Sequence, residues 1–232
     1  MRNLRLEKIA DMVMKGVTAA DIGTDHALLP VMLIERKKCE RVYACDIAEG
    51  PLKSAERTVR NAGLSEQIEL ILSDGFVNVP RDADCAVLAG MGYYTAAGIL
   101  ERATERLSSF RQIIVEVNRN VKEMRQWISE HGFTITDEAV VSERGFDYII
   151  ISFNTQGHVP YTERELECGP VLIEKNSPEF RDYCVRQLTA LESILAKQTR
   201  ETENSRMLKH RAEIWRSVYE EAENTKTAGS FE

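Results

Sequence analysis

Short apolar runs alternate with amphipathic helical segments from residue 17 onward, and this alternation constrains the fold more than any other feature. It is typical of a parallel sheet that is covered by helices on both faces. The expected strands cover residues 19–23, 41–46, 68–72, 83–89 and 112–117. The expected helices between and after them cover residues 27–36, 52–62, 95–106 and 122–131.

Two further apolar runs follow without a helix between them. Residues 133–141 and 148–153 are joined by a turn-like segment at residues 143–147. A hairpin after five alternating units adds antiparallel strands to a doubly wound sheet. The sequence therefore predicts an α/β fold with a seven-stranded, doubly wound, Rossmann-like sheet.

The remainder of the chain is predicted to be helical. Residues 154–160 are polar and contain glycine and proline, which marks a connection that leaves the sheet. Beyond Pro178, apolar residues recur at helical spacing on both sides of an entirely polar stretch, residues 198–206. Two antiparallel helices with a turn near residues 202–205 would pair these stripes, and one long helix with a polar middle is the alternative. The expected divisions are a sheet domain over 1–160, a helical, coiled-coil-like domain over 161–222 and a flexible tail over 223–232.

The charge distribution leaves the class of partner open. The chain has 30 Lys and Arg residues against 37 Asp and Glu, a net charge of -7, which argues against nucleic acid because phosphate neutralisation dominates that affinity. Residues 181–216, however, carry eight basic against five acidic side chains, and the first sixteen residues carry four against two. Both ends are locally positive, either as binding surfaces or as ordinary solvated surfaces of mixed charge.

Membrane and metal sites are not expected. No apolar run approaches the roughly 18 residues of a spanning helix, and the N-terminal residues mix charges into their apolar positions, so we expect a cytoplasmic protein. The five cysteines are widely spaced, form no C-x-x-C pair and have only four histidines to accompany them, which predicts reduced thiols and no metal.

Acidic residues mark the carboxyl ends of the first three predicted strands, where ligands of doubly wound sheets bind. Asp21 and Asp25 flank Gly23, Asp46 ends the second strand and Asp74 follows the third. A dinucleotide site would show G-x-G-x-x-G in the first turn, and this turn has one glycine. The acids would repel a pyrophosphate, but they suit a cofactor that carries an ammonium and a sulfonium and no phosphate. S-adenosylmethionine fits that description.

The acids have distinct expected roles. Asp46 can accept both ribose hydroxyl protons, and Asp74 can accept from the exocyclic amine of adenine while Gly75 allows close backbone approach. Each acid taken alone could instead be a helix N-cap or a turn former, and His26 could be a packing residue at a helix N-terminus. Three acids at one edge favour a cofactor. The expected cofactor-binding residues are Asp21, Gly23, Thr24, His26, Asp46, Ile47, Asp74, Gly75, Ala89, Gly90 and Met91.

The run DIGTDHALLP at residues 21–30 resembles the opening motif of the TrmK family of bacterial tRNA methyltransferases, which methylate N1 of the adenine at tRNA position 22. Other segments resemble family landmarks in the same order: Gly50-Pro51-Leu52, Asp74-Gly75-Phe76, Ala89-Gly90-Met91-Gly92, Arg125-Gln126-Trp127-Ile128, Gly169-Pro170-Val171-Leu172 and Glu174-Lys175-Asn176. The resemblance implies a class I methyltransferase sheet with a coiled-coil-like helical appendage. It also implies S-adenosylmethionine as cofactor and tRNA as substrate.

Two segments depart from the family pattern. The family usually continues A-G-M-G with another glycine, whereas this chain has Tyr93 and Tyr94, and it usually has Gln-Pro-Asn where this chain has Glu116-Val117-Asn118. A bulky ring at this edge can be a stacking platform, a gate or a block. We expect Tyr93 and Asn118 to face the substrate.

Asp25 is the expected catalytic residue. Adenine N1 carries an in-plane lone pair, so methyl transfer mainly requires alignment, and a carboxylate can stabilise the positive charge that develops on the base. The resemblance places a catalytic role at Asp25, and the alternative is that Asp25 only caps the next helix.

The tail is the expected tRNA contact. Phosphate contacts are expected from Arg206, Lys209, Arg211 and Arg216, unless these are ordinary solvated helix positions. A methyltransferase acting on a small molecule and a non-catalytic protein that binds tRNA or S-adenosylmethionine remain alternative functions. The oligomeric state is left open.

Overall fold

The computed structural model describes residues 3–157, 160–198 and 200–228, with side chains described as far as residue 224. The chain divides into two compact units, Met1–Pro160 and Tyr161–Glu232. No helix in the described part of the chain is long and apolar enough to cross a membrane.

The first unit contains the predicted alternation of strands and helices. Its strands are β1 (Val17–Ile22), β2 (Cys39–Asp46), β3 (Ile68–Leu72), β4 (Cys85–Met91), β5 (Gln112–Val117), β6 (Thr134–Glu143) and β7 (Phe146–Asn154). Its helices are α1 (Leu4–Met12), α2 (Leu28–Glu35), α3 (Glu49–Ala62), α4 (Tyr93–Arg102), α5 (Thr104–Leu107) and α6 (Val121–Glu130).

The sheet has the predicted seven strands, in the order β3-β2-β1-β4-β5-β7-β6. The pairs from β3 to β5 are parallel, and β7 pairs antiparallel with both β5 and β6. The predicted doubly wound fold is confirmed. Because β1 pairs with β2 on one side and β4 on the other, the winding reverses there and opens a crevice at the carboxyl ends of β1 and β4.

Helix α1 was not predicted. The Asn3 side chain accepts a hydrogen bond from the backbone N–H of Leu6 at 2.9 Å, which caps its first turn. Leu6, Ile9 and Ala10 are buried in the sheet core. The short apolar stripe contributes to the same core as β1 and brings the N-terminal residues of the helix to the cofactor edge.

The second unit is helical. It consists of α7 (Glu163–Cys168), α8 (Pro170–Lys175), α9 (Pro178–Ala196) and α10 (Glu203–Ala228). Arg216 Nη2 lies 2.9 Å from Glu192 Oε1 and Arg181 Nε lies 3.9 Å from Glu223 Oε1, so α9 and α10 run antiparallel. The alternative of one long helix is therefore wrong.

The C-terminal segment is helical further than expected. Helix α10 continues to Ala228, so residues 223–228 are helical although we expected a flexible segment from residue 223. Residues 229–232 lie outside the described residues. Trp215 and Leu191 of the predicted apolar stripes are buried, whereas Met207 is 61% exposed.

Candidate active site

Two cavities lie at the carboxyl edge of the sheet. The Asp21 cavity, of about 210 Å³, is lined by residues from α1 and from the ends of β1 and β4. The Asp46 cavity, of about 280 Å³, is lined by the ends of β1, β2, β3 and β4 and by α4. Gly23 belongs to both linings. The structure thus brings the predicted strand ends together.

The predicted cofactor residues all line one of these cavities. The predicted residues that line the Asp21 cavity are Asp21, Gly23, Thr24, His26, Ala89 and Gly90, together with the predicted catalytic residue Asp25. The predicted residues that line the Asp46 cavity are Gly23, Asp46, Ile47, Asp74, Gly75 and Met91.

Asp21 is a buried carboxyl with one neutral donor. Its side chain accepts a hydrogen bond from Thr24 Oγ1 at 2.7 Å. Burial raises the pKa of Asp21 to about 6, against the opposing effect of the Thr24 hydrogen bond, and Asp46 raises it further while Arg5 lowers it. A buried acid held at this pKa is stabilised by an arriving cation, such as an ammonium.

Asp25 lies at the mouth of the same cavity. Its side chain is 68% exposed, and its backbone has φ of 48°, a left-handed conformation that Asp tolerates better than most residues. The next residues do not use it as a cap, since α2 begins after Ala27 without any side-chain cap. The helix-cap alternative for Asp25 is therefore wrong.

His26 is also on the rim. Its Nε2 lies 3.4 Å from Asp25 Oδ2, and its side chain is 57% exposed. The alternative of a packed histidine at the helix N-terminus does not hold for a side chain this open to solvent.

The Asp46 cavity combines an acceptor with apolar walls. Asp46 is buried, its Oδ1 accepts from the N–H of Ala48 at 3.0 Å, and its Oδ2 is 3.4 Å from the N–H of Asp25. Asp46 thus shapes the turn after β2 as well as lining the cavity. Ile22, Ile47, Met91 and Ile99 supply apolar lining, which suits a nucleoside whose ribose meets Asp46.

Asp74 also lines the Asp46 cavity. Its Oδ1 accepts from Arg102 Nη2 of α4 at 2.9 Å, and both side chains are more than half exposed. The pair holds the carboxylate beside Gly75 with its second oxygen available, as an acceptor of an adenine amine requires.

Two glycines are required at the cavity walls. Gly23 has φ of 79° and Gly90 has φ of 79°, which L residues rarely adopt. A Cβ at Gly90 would lie 2.9 Å from Arg5 Nη1, so a side chain there would displace the arginine. Gly90 therefore permits Arg5 to lie against the end of β4.

The two predicted substrate residues are not part of either lining. The structure places Tyr94, rather than Tyr93, in the Asp46 cavity, where Tyr94 is 81% exposed. The two tyrosine rings are 5.1 Å apart in an edge-on arrangement. Asn118 donates its backbone N–H to the carbonyl of Met91 at 3.2 Å and so braces the loop after β4.

The four tail residues are not equivalent. Arg211 donates to the buried Glu167 at 2.8 Å, as does Trp215 Nε1 at 3.0 Å, so Arg211 has a structural role inside its own unit. Lys209 pairs with Glu201 and Arg216 with Glu192, both at the helix surface. Arg206 is exposed and has no acidic partner among the described residues. Of the four predicted phosphate contacts, Arg211 is the one that is already engaged with a buried carboxylate.

Sequence reasoning missed several lining residues. Arg5 of α1 lines the Asp21 cavity, and Ile99 and Arg102 of α4 line the Asp46 cavity. The excess positive charge of the first sixteen residues was the available signal for Arg5. No group of three or more His, Cys, Asp or Glu side chains in the described ranges is arranged to hold a metal ion.

Comparisons with known proteins give one consistent result. The family model for TrmK, tRNA (adenine(22)-N(1))-methyltransferase, matches residues 19–220. A relative described as tRNA (adenine(22)-N(1))-methyltransferase, from Bacillus subtilis (strain 168), is 29% identical over 218 residues, which are 90% of this chain and 92% of the relative.

Solved structures of similar proteins have the same fold, and two of them contain S-adenosyl-L-methionine or its product. Sp1610 of Streptococcus pneumoniae in complex with S-adenosyl-L-methionine is similar with a TM-score of 0.84 at 29% identity, covering 94% of this chain and 100% of that chain. TrmK of M. capricolum in complex with the cofactor product S-adenosyl-homocysteine is similar with a TM-score of 0.81 at 27% identity, covering 95% of this chain and 98% of that chain.

Proposed function

The chain belongs to the TrmK family of tRNA (adenine(22)-N(1))-methyltransferases, and we propose that its two cavities together form one site for S-adenosylmethionine. It is an S-adenosylmethionine-dependent enzyme that methylates N1 of adenine in tRNA. The observation that carries the proposed site is the convergence of Asp21, Asp46 and Asp74 at one sheet edge, in cavities that share Gly23.

The two cavities fit the two ends of this cofactor. Asp21 offers anionic oxygens to the ammonium and sulfonium end, where a phosphate would be repelled. Asp46 accepts from the ribose hydroxyls, and Asp74 accepts from the adenine amine between apolar walls. Gly23, in both linings, leaves room for the cofactor to pass from one cavity to the other.

The chemistry requires alignment more than proton transfer. When bound, S-adenosylmethionine supplies an electrophilic methyl group on a sulfonium. Adenine N1 needs no base before it attacks, so the residues around the Asp21 cavity act by fixing the approach of the base. The exposed Asp25 carboxylate at the cavity mouth stabilises the positive charge that develops on the adenine ring.

Tyr94 is the proposed contact of the target base. N1 lies on the Watson–Crick edge, so adenine 22 must be unpaired or flipped before the reaction. Tyr94 presents an almost fully exposed ring at the rim of the Asp46 cavity, with Tyr93 against its edge. Base stacking on an aromatic side chain contributes about 1–3 kcal/mol and does not depend on sequence. Of the three roles open for these rings, the exposed position favours a stacking platform.

The tail supplies the proposed phosphate contacts. Arg206, Lys209 and Arg216 are exposed on α10, and the surface pairs of Lys209 and Arg216 can exchange their carboxylates for phosphates at little cost. These contacts position the tRNA without reading its sequence.

A pair of transcripts tests the function. An unmodified tRNA with adenine at position 22 is expected to accept a methyl group from labelled S-adenosylmethionine, and the same tRNA with guanine there is expected to accept none. Equal labelling of both transcripts would contradict the proposed target. Binding of S-adenosylmethionine without transfer to either transcript would favour a non-catalytic protein.

A further inference from the structure

Arg5 and Glu116 form a buried ion pair at the wall of the Asp21 cavity. Arg5 Nη1 donates to Glu116 Oε2 at 2.6 Å, although the two residues are 111 positions apart in the chain. The Glu116 side chain is fully buried at the end of β5, whereas the Arg5 side chain keeps 23% of its surface exposed and lines the cavity. The arginine is therefore the open partner of the pair.

The position of Arg5 is tightly defined. The same Oε2 of Glu116 accepts the backbone N–H of Gly90 at 2.9 Å, so one oxygen joins α1, β4 and β5. The guanidinium also lies 5.4 Å from the centre of the Tyr148 ring. Glu116 Oε1 is buried and makes no hydrogen bond to a described residue, so its charge depends on Arg5 for compensation.

The lining of the Asp21 cavity carries both positive and negative charge. Asp21 and Asp25 are acidic, and Arg5 is the arginine that faces them from α1. The amino-acid end of S-adenosylmethionine is a zwitterion, with an ammonium and a carboxylate on the same carbon. Acids alone would attract the first group and repel the second. A guanidinium in the same lining, with donors beyond the one given to Glu116, matches the second group, since Arg and carboxylate form charge-assisted hydrogen bonds.

We infer that Arg5 binds the carboxylate of the amino-acid end of S-adenosylmethionine and that Glu116 is the positioning residue that holds Arg5 against Gly90. This inference rests on the proposed cofactor site. It adds a recognition element that distinguishes S-adenosylmethionine from a cofactor of the same shape without the carboxylate.

Two ligands separate this role from a structural one. Decarboxylated S-adenosylmethionine keeps the ammonium, the sulfonium and the adenosine and lacks only the carboxylate. We expect Arg5→Ala to lower the affinity for S-adenosylmethionine at least tenfold and to leave the affinity for the decarboxylated ligand within about twofold, by calorimetry. Lys8→Ala, an exposed cation of the same helix, is the matched control and should change neither affinity.

The Arg5→Ala variant leaves Glu116 buried without its cation, which can prevent folding. The double variant Arg5→Ala with Glu116→Gln removes that charge as well and is compared with Glu116→Gln alone. Relative to Glu116→Gln alone, we expect the double variant to lose affinity for S-adenosylmethionine and to keep its affinity for the decarboxylated ligand. A parallel loss of affinity for both ligands, in either comparison, would overturn the inference. If the parent chain does not bind S-adenosylmethionine, the cofactor site itself is wrong.

The role of Glu116 is measured by the ratio of the affinity for S-adenosylmethionine to the affinity for the decarboxylated ligand. Glu116→Gln keeps an oxygen that can accept from Arg5 and Gly90, and it should keep the ratio of the parent within about threefold. Glu116→Ala removes the acceptor and should bring the ratio close to one. An alanine variant that is folded and retains the ratio of the parent would show that Glu116 does not position Arg5.

Discussion

Asp25 and Asp46 are neighbouring acids with different expected roles at the residue scale. We expect Asp25→Asn to leave the affinity for S-adenosylmethionine within a few fold and to lower the single-turnover methylation rate more than tenfold, because we propose that the exposed Asp25 stabilises the charge on the base. Asp46→Ala should instead weaken cofactor binding at least tenfold, since it removes a charged acceptor that contributes about 1.5–3 kcal/mol. Calorimetry and quenched single-turnover assays measure both. Loss of affinity in Asp25→Asn would make Asp25 a cofactor ligand.

Asp21 predicts a pH dependence of cofactor binding. Its pKa is raised to about 6 by burial, so the carboxyl is mostly ionised at pH 7 and mostly neutral at pH 5. The cofactor ammonium favours the ionised form, so the affinity should fall about tenfold between pH 7 and pH 5. Titrations of the parent and of Asp21→Asn across this range measure the fall. A profile as steep in Asp21→Asn would contradict the assignment.

The raised pKa of Asp21 also affects the stability of the fold, which it lowers as pH rises, whereas cofactor affinity increases. Because the folded-state pKa lies above the ordinary value of 3.8, Asp21 contributes stability at low pH, and this contribution is lost as pH rises from about 4 to about 6. At neutral pH the buried charge therefore costs stability, and a bound cation offsets that cost.

The strand-end acids could be predicted from the sequence, whereas their cationic partner could not. Parallel strands end at the same edge, so Asp21, Asp46 and Asp74 were expected to meet once the strands were assigned. Arg5 and Glu116 have no local pattern, since they are joined only by the tertiary packing of α1 on the sheet unit. Tyr94 rather than Tyr93 lines the cavity, and the helical phase of α4 at its first turn decides which of the two rings does so.

At the element scale, a buried ion pair fixes α6 on the sheet. Arg125 Nε of α6 donates to Glu138 Oε1 of β6 at 2.8 Å, and both side chains are buried. We expect Arg125→Met to lower the free energy of unfolding by about 3–5 kcal/mol, because it removes the buried cation that pairs with the Glu138 carboxylate. Urea unfolding measures this change. Arg125→Met with Glu138→Leu should recover most of it, and a double variant no more stable than the single one would contradict the mechanism.

Helix and strand periodicity predicted most elements and left out those that are short or terminal. Helix α1 mixes charges with its apolar stripe, and the sequence indicated only the local positive charge there and the lack of a long apolar run. Helices α7 and α8 have six residues each, too few for a periodic pattern. The turn between α9 and α10 was predicted from polarity alone, and the capping of α10 by Thr202 and Ser205 provides its physical cause.

At the scale of the whole molecule, an acidic chain must bind an acidic substrate. Arg206, Lys209 and Arg216 are the α10 cations whose replacement leaves the Glu167 pair intact. We expect the triple change to Gln to weaken tRNA binding and to flatten its salt dependence, because fewer counterions are released, without changing cofactor affinity. Filter binding across a salt series measures both quantities.

The matched control removes the same charge from α3, where Lys53, Arg57 and Arg60 are exposed and line neither cavity. Changing these three to Gln should leave the salt slope at that of the parent. A parental slope in the α10 triple variant would show that α10 is not the phosphate-binding surface.

The central claim is transfer of a methyl group to N1 of one adenine, and mapping the modified base tests it most directly. The parent chain is incubated with labelled S-adenosylmethionine and unmodified tRNA, and the product is digested and analysed by mass spectrometry together with reverse transcription. We expect a single N1-methyladenine at position 22, which blocks the Watson–Crick edge and stops reverse transcription there. A methyl group on the exocyclic amine, or on a different nucleotide, would contradict the account.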